Sequence, residues 1–229
     1  MKKLVIIPAY NECKSILKAV EDIREHAPGF DYLVVNDCST DETLAICREN
    51  HLNYANLSVN LGIGGAVQTG YLYACHNGYD VAVQFDGDGQ HDASYLEQMA
   101  KELEATGSDM VIGSRFIEKE GFQSSGLRRL GIGYFSWLIR LMTGKRVTDP
   151  TSGMRMVNRS VMEIYANSYP KDYPEPESVV AILRKGKKVT EVPVIMRERT
   201  EGTSSINAPR SVYYMVKVTL AILMERLRG

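Results

Sequence analysis

The first 115 residues of this chain alternate short aliphatic runs with helical segments, and that alternation restricts the fold more than any other feature. Residues 3–7, 32–36, 57–59, 81–85 and 110–113 read as strands. The first two, KLVII and YLVVN, are nearly continuous apolar runs of the kind buried on both faces of a parallel sheet. Residues 11–26, 39 or 40 to 50, 63–77 and 93–105 read as the intervening helices. Asn11 stands where an N-cap is expected, ahead of Ile16, Leu17, Val20 and Ile23, and Ser39 or Thr40 caps the second helix. This order predicts an α/β fold: an open, Rossmann-like, mostly parallel sheet with helices on both faces. Ligands of such sheets bind beyond the C-terminal strand ends.

The second half loses the alternation. Residues 127–142, LRRLGIGYFSWLIRLM, are apolar and aromatic with embedded arginines. Residues 189–195 read as a strand and 208–228 as a long amphipathic helix with Pro209 near its start. No repeat or linker interrupts the chain, so one domain over 1–229 is expected.

Charge and cysteines limit the function classes. The net charge of −1 excludes a nucleic-acid binder by bulk electrostatics. The distribution is uneven: residues 1–183 carry a net −7 and residues 184–229 a net +6. A basic C-terminal stretch fits an anionic surface or substrate. Cys13, Cys38, Cys47 and Cys75 form neither a C-x-x-C pair nor a zinc spacing, and the start MKKLVIIPAY lacks a signal-peptide core. Reduced thiols in the cytoplasm are expected. No apolar run reaches the roughly 18–20 residues that span a bilayer. At a membrane, such a chain would lie on the surface or use a partner.

Chemistry concentrates at three strand ends. Gln84-Phe85-Asp86-Gly87-Asp88-Gly89-Gln90 sets two carboxylates two residues apart where the fourth strand opens into a loop, with glycines that let a ligand approach the backbone. Hard oxygen ligands suit Mg²⁺ or Mn²⁺, which usually take one or two carboxylates together with substrate phosphates. The first strand ends in Pro8-Ala9-Tyr10-Asn11-Glu12 and the second in Asn36-Asp37-Cys38-Ser39-Thr40-Asp41. Each alone reads as a turn with a cap. Polar groups at three strand ends of one sheet read together as a site. Gly62-Ile63-Gly64-Gly65 comes too late and has Val67 at the sixth position, so a dinucleotide fingerprint is absent. There is no P-loop and no G-x-S-x-G elbow.

The chain resembles the family-2 glycosyltransferases, and within them the polyprenyl- and dolichyl-phosphate sugar synthases. The matching stretches are IPAYNE (7–12), VVNDCSTDET (34–43), NLGIGGAVQTGY (60–71), VQFDGDGQH (83–91), IGSRF (112–116), RVTDPTSGMRM (146–156) and RERTEGTSSI (197–206). The resemblance implies a GT-A fold, with residues 1–115 binding the nucleotide sugar and 116–229 the acceptor. It implies that Pro8, Ala9, Tyr10, Glu12, Asp37 and Gly62 form the nucleotide pocket. Asp86, Gly87 and Asp88 would meet the diphosphate, and Asp86, Asp88 and Gln90 a metal, Mg²⁺ or Mn²⁺. Arg115, Arg128 or Arg129, and Ser152 would hold the acceptor phosphate, and Arg199 would fold over the donor phosphates. Ser205 stands where the mannose synthases of this group carry a lysine, so mannose and a guanine nucleotide are weakly supported.

The implied reaction is inverting transfer from a nucleotide-diphosphate sugar, with UDP-glucose or UDP-N-acetylglucosamine preferred, to a polyprenyl phosphate at the cytoplasmic membrane face. A phosphate monoester is largely ionised near neutrality, with a second pKa of about 6, and needs no protein base. The alternative acceptor, a hydroxyl of a growing glycan, needs one. Glu177 or Glu175, in the proline-bounded loop 171–177, would supply it. A non-catalytic sugar-nucleotide-binding subunit is the other class considered, and the intact DGDG pair, Arg115 and Arg199 weigh against it. Arginines beside Trp137, Phe135 and Tyr134 mark residues 127–142 as an interfacial helix, with 208–228 a second. Relatives often continue into transmembrane helices, so a small membrane protein is an expected partner, alongside self-association.

Overall fold

The structure is a computed structural model that describes residues 1–118, 126–197 and 208–227. Seven strands form one sheet: β1 (Lys3–Ala9), β2 (Asp31–Asn36), β3 (Tyr54–Asn56), β4 (Val81–Gln84), β5 (Met110–Ser114), β6 (Arg155–Asn158) and β7 (Val189–Pro193). Their order is β3-β2-β1-β4-β6-β5-β7. All neighbours are parallel except β6, which runs antiparallel to both β4 and β5. The mostly parallel α/β sheet expected from the alternation is therefore present.

Each helix covers a face that the strand pattern prepares for it. Side chains of β1 alternate: Val5 and Ile7 join one core with Ile16, Val20 and Ile23 of α1 (Ile16–His26) and with Leu96 and Met99 of α4 (Leu96–Thr106). Leu4 and Ile6 join the other core with α3 (Gly62–His76), α5 (Gly126–Thr143), α6 (Arg159–Asn167), α7 (Pro174–Arg184) and α8 (Ala208–Leu227). A short helix α2 (Thr43–Glu49) follows β2. Burial of each such aliphatic side chain contributes about 1.5–3 kcal/mol. The second core is close-packed. A Cβ added at Gly70 of α3 would lie 2.2 Å from Ile6 Cγ2, so the helix rests on β1 only because nothing projects there.

Four local expectations change. Asn11 is not an N-cap: α1 begins at Ile16, and Asn11 sits in the left-handed region at φ 59°. Its side chain instead accepts from Thr40 N at 2.8 Å, tying the β1 loop to the β2 loop. The second helix starts at Thr43, where Asp41, rather than Ser39 or Thr40, accepts from the Thr43 amide at 2.9 Å. The third strand is Tyr54–Asn56, not 57–59, because pairing with Val34–Asn36 fixes its register. Residues 174–184 form α7 rather than the end of a stiff loop. Proline is tolerated in the first turn of a helix, where no intrahelical acceptor awaits the missing N–H.

Candidate active site

The three strand ends converge because β2, β1 and β4 are adjacent and parallel. Beyond β1, Glu12 N donates to Thr43 Oγ1 at 2.9 Å, and Ser15 Oγ donates to Glu12 Oε2 at 2.7 Å. Pro8 and Ala9 are buried in the strand itself, and Tyr10 is exposed. Beyond β2, Asp37 is buried. Its Oδ1 accepts from Leu61 N at 2.7 Å and its carbonyl from Asn60 Nδ2 at 3.1 Å. Asp37 thus anchors the start of α3, where Gly62 takes φ +76°. A Cβ at Gly64 would lie 2.0 Å from Pro170 O, and Gly64 N donates to Lys171 O at 3.0 Å. The glycine cluster therefore joins this wall to the segment leading into α7.

Asp86 follows β4 and is held from several sides. Gln84 Nε2 donates to Asp86 Oδ1 at 3.1 Å. Asp86 N donates to Nδ1 of the buried His91 at 2.9 Å, so the ring's proton lies on Nε2, which stands 3.6 Å from Asp86 Oδ2. A Cβ at Gly153 would lie 2.6 Å from Asp86 Oδ2, so the carboxylate rests on bare backbone. Two residues on, Asp88 Oδ1 accepts from Gln90 N at 3.0 Å. Gln90 O in turn accepts from Arg197 N at 2.9 Å, and Arg197 Nη2 reaches Asp92 Oδ2 at 3.0 Å and Asp22 Oδ1 at 3.3 Å. Burial pushes Asp92 up, but hydrogen bonds from Ser94 and the Arg197 charge outweigh it, and the carboxyl lies below its ordinary value. The 86–92 loop is thus clamped to α1 and to the segment that follows β7. A cleft of about 260 Å³ opens between Lys14, Lys18 and Asp22 on one side and Asp88 and Gly89 on the other.

Among the described residues no three acids, histidines or cysteines gather as a closed metal cage. Asp86 and Asp88 suit the other arrangement, in which one or two carboxylates take the metal together with substrate phosphate oxygens.

The expected acceptor residues are placed differently. Arg115 is buried, with Nε donating to Asp149 Oδ2 at 2.7 Å and Nη2 to Asp149 Oδ1 at 2.8 Å and Thr151 Oγ1 at 3.0 Å. Ser152 is fully buried and its hydroxyl accepts from Met154 N at 3.2 Å. In this placement both side chains support the 148–153 loop. Arg129 is exposed on α5. Arg199, Ser205 and the Arg128 side chain lie outside the described residues. Glu175 and Glu177 stand in the first turn of α7, which the buried Arg155 ties to the same loop: Nε donates to Ser152 O and Nη2 to Pro150 O, both at 2.6 Å, and Nη1 to Glu175 O and Ser178 Oγ. Sequence reasoning missed Gln84, His91, Gly153 and Arg155. His91 and Arg155 carried only the signal of lying inside matched stretches.

A parallel sheet with one reversed strand and a double-aspartate loop beyond its fourth strand define a GT-A fold. Crystal structures agree: glucosyl-3-phosphoglycerate synthase from Mycobacterium tuberculosis, in complex with Mn²⁺, uridine diphosphate and phosphoglyceric acid, superposes with a TM-score of 0.71 at 18% identity, over 98% of this chain and 78% of that one. The family model described as "Glycosyl transferase family 2" matches residues 4–165, and the chain belongs to that family. An undecaprenyl-phosphate mannosyltransferase of Micrococcus luteus is 30% identical over 100% of this chain and 97% of its own length. A UDP-N-acetylglucosamine–dolichyl-phosphate N-acetylglucosaminyltransferase of Methanococcus voltae is 31% identical over 83% of each.

Proposed function

We propose that this glycosyltransferase moves a sugar from a nucleotide-diphosphate donor, preferentially a UDP-sugar, to a polyprenyl phosphate, with inversion, at the inner face of the cytoplasmic membrane. The observation that carries the reading is the Asp86–Asp88 pair, fixed beyond β4 beside the loops that end β1 and β2. The lipid-phosphate acceptors named for the 30–31% identical relatives support the substrate class. A bound Mg²⁺ or Mn²⁺ would neutralise the charge that builds on the leaving diphosphate. The chain's own contribution is positioning: Asp37 and Gly62 shape the nucleotide wall, Asp86 and Asp88 orient the diphosphate end, and Arg199 adds positive charge there. Attack by an ionised phosphate needs no proton removed, so no base is required on this route. For a glycan hydroxyl the base would be Glu177 or Glu175. The tether between α7's first turn and the 150–153 loop supports that second reading.

The membrane part of the proposal rests on α5 and α8. Leu130, Tyr134, Trp137 and Leu141 follow one exposed face of α5, while Ile132, Phe135, Leu138 and Ile139 are buried on the other. Tyr213, Val216, Leu220, Leu223 and Met224 are exposed on α8. The outer faces of both helices thus carry apolar residues as well. Arg129, Arg140, Lys145 and Arg146 are exposed around them. No described helix is long and apolar enough to cross a membrane. Basic residues flanking exposed aromatic and aliphatic side chains suit a surface of anionic lipid, with a membrane protein or a second copy of the chain as further partners.

The test is transfer of radiolabelled sugar from a panel of nucleotide sugars to polyprenyl phosphate, extracted into organic solvent. An acid-labile labelled lipid is the expected result. Label found only in water-soluble glycan would overturn the lipid acceptor, and label in neither fraction with any donor would overturn the transfer itself.

A further inference from the structure

Among the described residues Arg155 is the bulkiest fully buried side chain, and the proposed reaction gives it no role. It starts β6, where the register sets it opposite Gln84, the residue that donates to Asp86 Oδ1. Its guanidinium spans two pieces of chain. On one side Nε and Nη2 hold Ser152 O and Pro150 O, the carbonyls just before Gly153. Gly153 is the surface on which the Asp86 carboxylate rests. On the other side Nη1 donates to Glu175 O and to Ser178 Oγ at 3.0 Å, in the first two turns of α7. Each of these acceptors is a carbonyl or hydroxyl oxygen, and the cluster is sealed by Tyr71, Tyr165 and Tyr169, whose rings meet edge-on or tilted at 4.9–5.6 Å. Burial pushes all three phenols up, out of reach of ionisation, so these neighbours stay neutral.

We infer that Arg155 is a positioning residue: its planar fork is the strut that sets the distance between the Asp86 carboxylate and the acidic first turn of α7. Five donors in a fixed plane suit this use, because they hold several carbonyls at once in a defined geometry. A lysine at 155 keeps the charge but offers one rotatable ammonium, and it cannot bridge the two segments in the same way. The inference rests on the proposed function, in which Asp86 meets the donor diphosphate, and adds to it that α7's first turn lies beside the transferred sugar.

The strut predicts a separation of effects. Nucleotide and metal are bound by the β1, β2 and β4 loops, whereas α7 matters when sugar and acceptor are aligned. A misplacement of about 1 Å costs on the order of 100-fold in rate. Arg155→Lys is therefore expected to lower kcat by about 30- to 100-fold, while calorimetric binding of UDP with Mn²⁺ stays within about threefold. Ser178→Ala removes one acceptor of the guanidinium and one donor to Glu175 O, and is expected to lower kcat by about three- to tenfold with a modestly lowered thermal midpoint. Gly153→Ala is the contrast: it presses on Asp86 directly and weakens Mn²⁺–UDP binding itself. Should Arg155→Lys fail to fold, Ser178→Ala carries the test. Folded variants with undiminished kcat would overturn the strut, and so would kcat and UDP binding falling in parallel. The two ideas fail separately. A wild-type protein that binds Mn²⁺–UDP yet labels no lipid sinks the lipid acceptor, and the strut is then read from the variants' rates of donor hydrolysis.

Discussion

At the scale of single residues, Asp86 and Glu191 do opposite things with a carboxylate. Asp86 keeps about a third of its side chain exposed while Gln84, His91 and Gly153 fix it. Asp88 is the sharper test of the donor site. Asp88→Ala is expected to cut transfer at least about a hundredfold with little change in thermal midpoint, since its loop is separately clamped by Arg197. Transfer at the wild-type rate would remove Asp88 from the chemistry. Glu191 faces inward and holds the start of the 148–153 loop, accepting from Thr148 N at 2.8 Å and Asp149 N at 2.9 Å. Burial pushes its carboxyl up from 4.5, against the pull of those hydrogen bonds. A raised acid binds its proton more tightly in the folded state than in the unfolded one. Its stabilising effect is therefore present below pH 4.5 and is lost as pH rises through the folded value. Urea unfolding of wild type against Glu191→Gln should show the difference moving in favour of Gln above pH 4.5 and flat below it. A flat difference throughout would mean the carboxylate is better compensated than its burial suggests.

At the scale of elements, β6 and α5 carry the lessons. Asp109, just before β5, binds Lys188 N at 2.9 Å and Asn158 Nδ2 at 3.0 Å, joining β5, β6 and β7. Burial raises its carboxyl, but these hydrogen bonds and the Lys187 charge leave it below 3.8. A lowered acid contributes stability above its unfolded value and loses it as pH falls through the folded one. Acid unfolding of Asp109→Asn should accordingly be less steep below pH 3.8 than that of wild type. An unchanged slope would show that Asp109 takes no part in the linkage. For α5, the pair Trp137→Ser and Leu141→Ser is expected to weaken co-flotation with anionic vesicles at least about tenfold, because each lost apolar anchor is worth about 1.5–3 kcal/mol. Calorimetric UDP binding should stay as in wild type. Equal flotation of the double variant would put the membrane contact elsewhere.

At the scale of the whole molecule, the role proposed for Asp86 and Asp88 predicts metal dependence. Chelation with EDTA should abolish transfer, and Mn²⁺ or Mg²⁺ should restore it; full transfer in EDTA would overturn the role given to Asp86 and Asp88.

Much of the architecture was already legible in the chain. Continuous aliphatic runs such as residues 3–7 and 32–36 must be covered on both faces, and only a helix-flanked parallel sheet does that. The same rule put the double aspartate, Tyr10 and Asp37 beyond the strand ends. β6 escaped notice because four residues, RMVN, carry too short a period and begin with a charge. Arg155 drew no reading of its own; its burial depends on carbonyls of residues 150, 152 and 175, which no local pattern announces. Periodicity and turn chemistry are properties of neighbours in sequence, so they set the mostly parallel sheet, its flanking helices and the end at which the polar residues gather. Which polar side chains stand open and which become struts, as Arg115, Ser152 and Arg155 do, was decided only by the tertiary structure. A hydrogen-bonding group is committed by whichever partner folding brings within about 3 Å, and for Arg115 and the α7 side of Arg155 those partners lie 20 to 36 residues away.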